Sequence, residues 1–215
     1  MPQRSSARSQ KLRQSIAAEA ARIMATEGQR SYLLAKQKAA ERLGASTRNG
    51  LPSNAEVEDE LKTWQQLYGG EELKEALENL RREAAAAMRF LDDFRPRLVG
   101  PVAEGTADQF SRVCLQVFSD DPDAVVRYLM ENHIAFDQER RRVRWHDGKP
   151  RTVDVLVVDR RGTLVEMMLM IGRDALQPLP SPIDGRPQLR LALSEVEALL
   201  KPSGMPPMPP PRGGH

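Results

Sequence analysis

The chain holds a single cysteine, Cys114, so it can form no disulfide within itself and no cysteine-based zinc site. Aromatic residues are scarce, 5% of 215, which leaves Ala, Leu, Val and Met to fill a core. No run approaches the roughly 18 apolar residues that would span a bilayer. The N-terminus carries charges but no apolar stretch of the secretory kind. A soluble, cytoplasmic protein with no membrane partner is expected. Charge of one sign is also missing. The formal net charge is +2, so no overall field demands a polyanion. The three histidines, His133, His146 and His215, are scattered, and none pairs with acids at a metal-binding spacing. No cofactor and no metal are expected from composition.

Apolar residues make up 40% of the chain, enough for a real core. The charges are unevenly spread. Residues 1–50 contain ten Lys or Arg against three acids, whereas residues 51–95 contain eleven acids against six bases. A basic arm beside an acidic helical segment suits contact with nucleic acid, or packing of arm against helix inside the molecule.

Residues 1–9 are polar and Ser/Arg-rich, and disorder is expected there. Leu12, Ile16, Ala20 and Ile23 recur at helical spacing and predict a helix over 10–27, ended by Gly28. A second helix is predicted over 30–43, with Lys36, Lys38 and Arg42 on its exposed face. Ser53 and Glu56 form a capping box that opens a third helix. Gly69-Gly70 breaks it, and a long helix over 71–93 follows. Beyond Pro96 the period changes. Strands are predicted at 113–118, 136–145, 153–158 and 164–171, with a helix after Asp121 and a short one over 194–200. The reading is an α+β protein: a helical region at 10–95, a mixed strand and helix domain at 96–201, and a disordered Pro/Gly-rich tail at 202–215.

Chemistry concentrates in residues 100–118. Gly100 and Gly105 let the backbone turn sharply and approach a ligand closely, and Thr106 and Ser111 add hydroxyls. Such a loop can cradle phosphate, and it can equally be an ordinary turn. The segment resembles the active-site loop of the DNA polymerase beta-like nucleotidyltransferase superfamily. Minimal members carry Gly-Ser, a loop ending in Gly-Thr-Ala, a Ser, and a strand with Asp-x-Asp. Gly100, Gly105-Thr106-Ala107 and Ser111 match these positions, and Val113, Leu115 and Val117 match the buried ones of the strand. Asp154 is placed to match the third carboxylate, on a later strand. The chain as a whole resembles uncharacterised bacterial proteins of this type.

The departures bear on activity. Pro101 replaces the serine of Gly-Ser, and Arg112 and Cys114 stand where the family has its two aspartates. The resemblance implies two divalent cations held by those carboxylates. Cys offers a soft sulfur where Mg²⁺ needs hard oxygens, and Arg puts a positive charge where a cation would sit. The expectation is a catalytically degenerate member: a regulatory module binding nucleotide, RNA or a protein partner. Its nucleotide contacts would be Gly100, Gly105, Thr106, Ser111 and Arg112. Arg112 meets a phosphate there, or pairs with Asp154 across neighbouring strands. Two alternatives stand beside it. One is an active, Mg²⁺-dependent nucleotidyltransferase using displaced carboxylates such as Asp108, Asp120 and Asp154. The other is a nucleic-acid-binding protein using Lys36, Lys38 and Arg42 with the strand Arg140, Arg142 and Arg144, where Trp145 would stack bases. That strand can also be a solvated edge protected by its charge.

Overall fold

Apolar residues three and four apart, separated by small alanines, let the N-terminal helices approach closely. The structure, a computed structural model, describes residues 3–46 and 50–201, and their side chains except those of 3–8, 173 and 174. The tail at 202–215 expected to be disordered lies outside the described residues, as do Met1 and Pro2. Helices α1 (Gln3–Glu27), α2 (Tyr32–Arg42) and α3 (Asn54–Tyr68) pack around Ile16, Ala20, Ile23, Ala35, Ala39, Val57 and Leu61. Helix α1 starts earlier than its pattern predicts, and residues 3–9 are helical where disorder is expected. No Gly or Pro interrupts that stretch, so the helix propagates outward from its packed turns. The capping box at the start of α3 is present. The Glu56 backbone N–H donates to Ser53 Oγ at 3.2 Å, and the Ser53 N–H donates to Glu56 Oε2 at 2.7 Å.

Helix α4 (Gly70–Phe90) lays Leu80, Ala84, Ala87 and Met88 on a five-stranded sheet. The strands are β1 (Arg97–Val99), β2 (Val113–Ser119), β3 (Asp137–Arg144), β4 (Pro150–Arg160) and β5 (Thr163–Ile171). Their order is β1-β2-β5-β4-β3, with β2 and β5 parallel and the other pairs antiparallel. One turn of helix, α5 (Pro101–Glu104), joins β1 to β2, α6 (Ala124–Glu131) follows β2, and α7 (Leu193–Leu199) ends the described chain. Leu98 and Leu191 bridge by two backbone hydrogen bonds of 2.9 Å, which lays the C-terminal return along β1. The fold is α+β, with N-terminal helices preceding a mixed sheet. No described helix is long and apolar enough to cross a membrane.

Alternation along the strands assigns the two faces of the sheet. Val113, Leu115, Val117, Leu156, Val165, Met167 and Leu169 join the core under α4, α6 and α7. Asp154 is two residues from Leu156 and paired with Arg140, so both lie on this helix side. The opposite face carries Cys114, Gln116 and Phe118 on β2, with Glu166, Met168 and Met170 beside them on β5. Around Phe118, Met170 and Val153 it is closed by Trp145, Ala175 and Leu179.

Candidate functional site

The face opposite α4 carries a second group of side chains at its other end, where β2 begins beside the Gly100 loop. Cys114 and Glu166 are register partners on parallel neighbours. Arg112 Nη1 donates to Glu166 Oε1 at 2.7 Å. Arg141, on the same face of edge strand β3, donates to both carboxylate oxygens, from Nη1 at 2.6 Å and Nη2 at 3.0 Å. The Glu166 side chain is 7% exposed, against 46% for Arg112 and 38% for Arg141. Burial pushes the Glu166 carboxyl up, but the hydrogen bonds and charges of Arg141 and Arg112 outweigh it, and the group sits below the usual carboxylate range. Glu139 also lies 3.5 Å from Arg141 Nη2, so the two guanidiniums face two carboxylates, and Arg112 has Glu166 alone as its partner, a carboxylate that it shares with Arg141.

Cys114 Sγ lies 3.8 Å from Glu166 Oε2. Burial pushes its thiol up to about 12, and the Glu166 charge adds to this, so it is a protonated thiol at neutral pH rather than a nucleophile.

Asp154 does not join this group. It faces the helix side, 3.5 Å from Arg140 Nε, and accepts from Gln138 Nε2 at 3.4 Å. The pairing of Arg112 with Asp154 across strands is therefore replaced by one with Glu166, because the two lie on opposite faces. The displaced-carboxylate set does not converge either. Asp108 is bound to Arg30 and Ser111, and Asp121, neighbour of Asp120, pairs with Arg127. Among the described residues no three His, Cys, Asp or Glu side chains gather as a metal site requires.

The Gly100 loop is held by its own contacts. Ser111 is 7% exposed; its hydroxyl accepts from Arg30 Nη1 at 2.9 Å and from the Asp108 N–H at 2.9 Å, and donates to Asp108 Oδ1 at 2.9 Å. Thr106 is 8% exposed, and its carbonyl accepts from Gln65 Nε2 at 2.9 Å. Of the five residues expected to contact a nucleotide, Arg112 alone presents a half-exposed polar side chain; Gly100 and Gly105 shape the turn, Thr106 is buried, and the Ser111 hydroxyl is spent inside the loop. Gly100 holds φ 71 and ψ −157, a conformation close to glycine-only, and a Cβ there would lie 3.9 Å from that of Cys114. Gly100→Ala is expected to cost about 1–3 kcal/mol, checked by urea denaturation.

Compared with models of protein families and with curated proteins, the chain matches none. Its functional reading therefore rests on its own residues.

The basic N-terminal set is paired within the molecule, Lys36 in the interior and Lys38 and Arg42 on the exposed face expected for them. Lys36, expected on an exposed face, is 8% exposed, and its Nζ donates to the Pro52 carbonyl at 2.9 Å and to Asn54 Oδ1 at 2.8 Å. The sequence around α2 cannot show that the 50–54 segment folds over it. Lys38 pairs with Glu27 at 2.6 Å, and Arg42 pairs with Glu19 at 3.1 Å and Glu27 at 2.8 Å. Arg140, Arg142 and Arg144 are exposed along β3, as their alternation predicts. Trp145 is not available for stacking on bases. It is 3% exposed and lies under the Arg151 guanidinium, 4.5 Å from its ring centre. Glu166 is the residue that sequence reasoning missed. Its signal was a lone acid in the apolar run Leu164–Ile171.

Proposed function

We propose that the chain is a catalytically degenerate nucleotidyltransferase-like protein that binds a phosphate group of a nucleotide or RNA without a metal. The observation that supports this reading is the convergence of Arg112 and Arg141 on one buried carboxylate, Glu166 of β5, next to the start of β2 where the resembled family keeps two of its acids. A guanidinium fork matches phosphate oxygens two at a time, and a fork already fixed by Glu166 loses little freedom on binding. Arg112 spends Nη1 on Glu166 while nearly half its side chain stays in solvent. The same arrangement offers no oxygen cage for two divalent cations.

The test is equilibrium binding of ATP and of a short 5′-phosphorylated RNA, with EDTA or with Mg²⁺. Binding is expected to survive EDTA and to weaken by roughly tenfold or more in Arg112→Ala, the loss of one charge-assisted contact. Transfer of label from ATP that needs Mg²⁺ and disappears in Asp154→Ala would overturn the reading.

A further inference from the structure

A second cleft lies away from the arginine cluster, between α3, the end of α5 and the loop at 181–189. Its cavity is about 290 Å³, the scale of a small molecule. Four carboxylates line it, Glu58, Asp59, Glu104 and Asp184, against two cations, Lys62 and Arg186. Arg186 is itself 85% exposed and 3.6 Å from Asp184. The formal excess is two negative charges.

Glu58 makes this more than an acidic patch. It is 2% exposed. The Tyr32 hydroxyl donates to its Oε2 at 2.5 Å, but its Oε1 is buried with no hydrogen-bond partner. A buried carboxylate oxygen without a donor is costly, and native structures rarely leave one. Lys62, one helical turn on, lines the same cleft but does not hydrogen-bond this oxygen. Glu104 senses the same deficit. Burial pushes its carboxyl up and the charges of Glu58 and Asp184 add to this, with only Lys62 opposing. The walls are built rather than incidental. The Asn54 Nδ2 donates to the Pro182 carbonyl at 2.7 Å, and Ser181 and Arg186 close the loop by a backbone bond of 2.7 Å.

We propose that this cleft binds a small organic dication, a diamine or a guanidinium-bearing amine, whose head group donates to Glu58 Oε1 and Glu104. An N–H donor satisfies the orphaned oxygen, and two positive charges balance the excess. A divalent metal fits less well, because it needs several oxygens converging on one point, and no three acids gather so among the described residues. A trapped water could satisfy Oε1 but would leave the charge unbalanced. The site is independent of the phosphate reading, since none of its residues belongs to the arginine cluster.

Calorimetric titration of the full chain with putrescine and with agmatine, at low salt and neutral pH, tests this. One saturable site is expected for at least one of them. Glu58→Gln should weaken it by tenfold or more, and Glu104→Gln by several fold. Glu104→Gln carries the test if Glu58→Gln fails to fold, judged by circular dichroism. Three results would overturn the proposal: no saturable binding of either amine, unchanged affinity in a folded Glu58→Gln or Glu104→Gln chain, or full displacement by equimolar Mg²⁺.

Discussion

Glu166→Ala is expected to lower stability by about 2–3 kcal/mol, measured by urea denaturation. The substitution removes the acid that two guanidiniums share, leaving Arg112 with no counter-charge and Arg141 with only the more distant Glu139. A fully buried pair broken in this way costs about 3–5 kcal/mol, and an exposed one about 1 or less. Glu166 is buried but its partners are a third to a half exposed, which sets the value between the two. The pH dependence follows from the direction of the shift. The folded-state carboxyl sits below its unfolded value, so its contribution is fully present above the unfolded carboxylate range and is lost as pH falls through the folded value. The drop in wild-type stability from neutral pH into the acid range should therefore be smaller in Glu166→Ala. Equal drops in the two proteins would mean that Glu166 does not titrate with folding.

Ile23→Ala is expected to cost about 2–5 kcal/mol, the range for emptying a packed core position. Ile23 is fully buried in an alanine-rich core with Ile16, Val57 and Leu61, where short side chains give little means of filling the space it leaves. The core that holds it shares no residue with the core beneath the sheet. Amide exchange should accordingly quicken in α1–α3 while β2 and β5 keep their protection. Uniform loss across helices and sheet would show that the two cores unfold as one.

The long helices and the strands from β2 to β5 were legible because each carries a local signal, whereas the three-residue β1 and the single-turn α5 were not predicted. Ser53 and Glu56 announce a helix start by chemistry that needs no tertiary partner, and Gly69-Gly70 separates two helices that are otherwise continuous in pattern. The sheet's facing was not legible. Val153, Val155 and Val157 alternate with Asp154, Leu156 and Val158, so β4 is apolar on both sides and its period does not say which side meets the helices. That ambiguity put Asp154 on the wrong face and hid Glu166. Lys36 was misread for a related reason. Its partners, Pro52 and Asn54, lie sixteen and eighteen residues on, and only the folded chain brings them over its ammonium group.

The return of Leu191 to Leu98 has a consequence for assembly. It occupies the flank of β1, so the row of unpaired backbone groups on that side of the sheet is interrupted, and β3 is left as the long free margin. A sheet that can recruit at one margin only joins a second copy and stops, whereas growth without limit needs two. The short bridge at the end of the described chain thus acts as a terminator against fibre formation, on the margin opposite the exposed Arg140, Arg142 and Arg144 of β3.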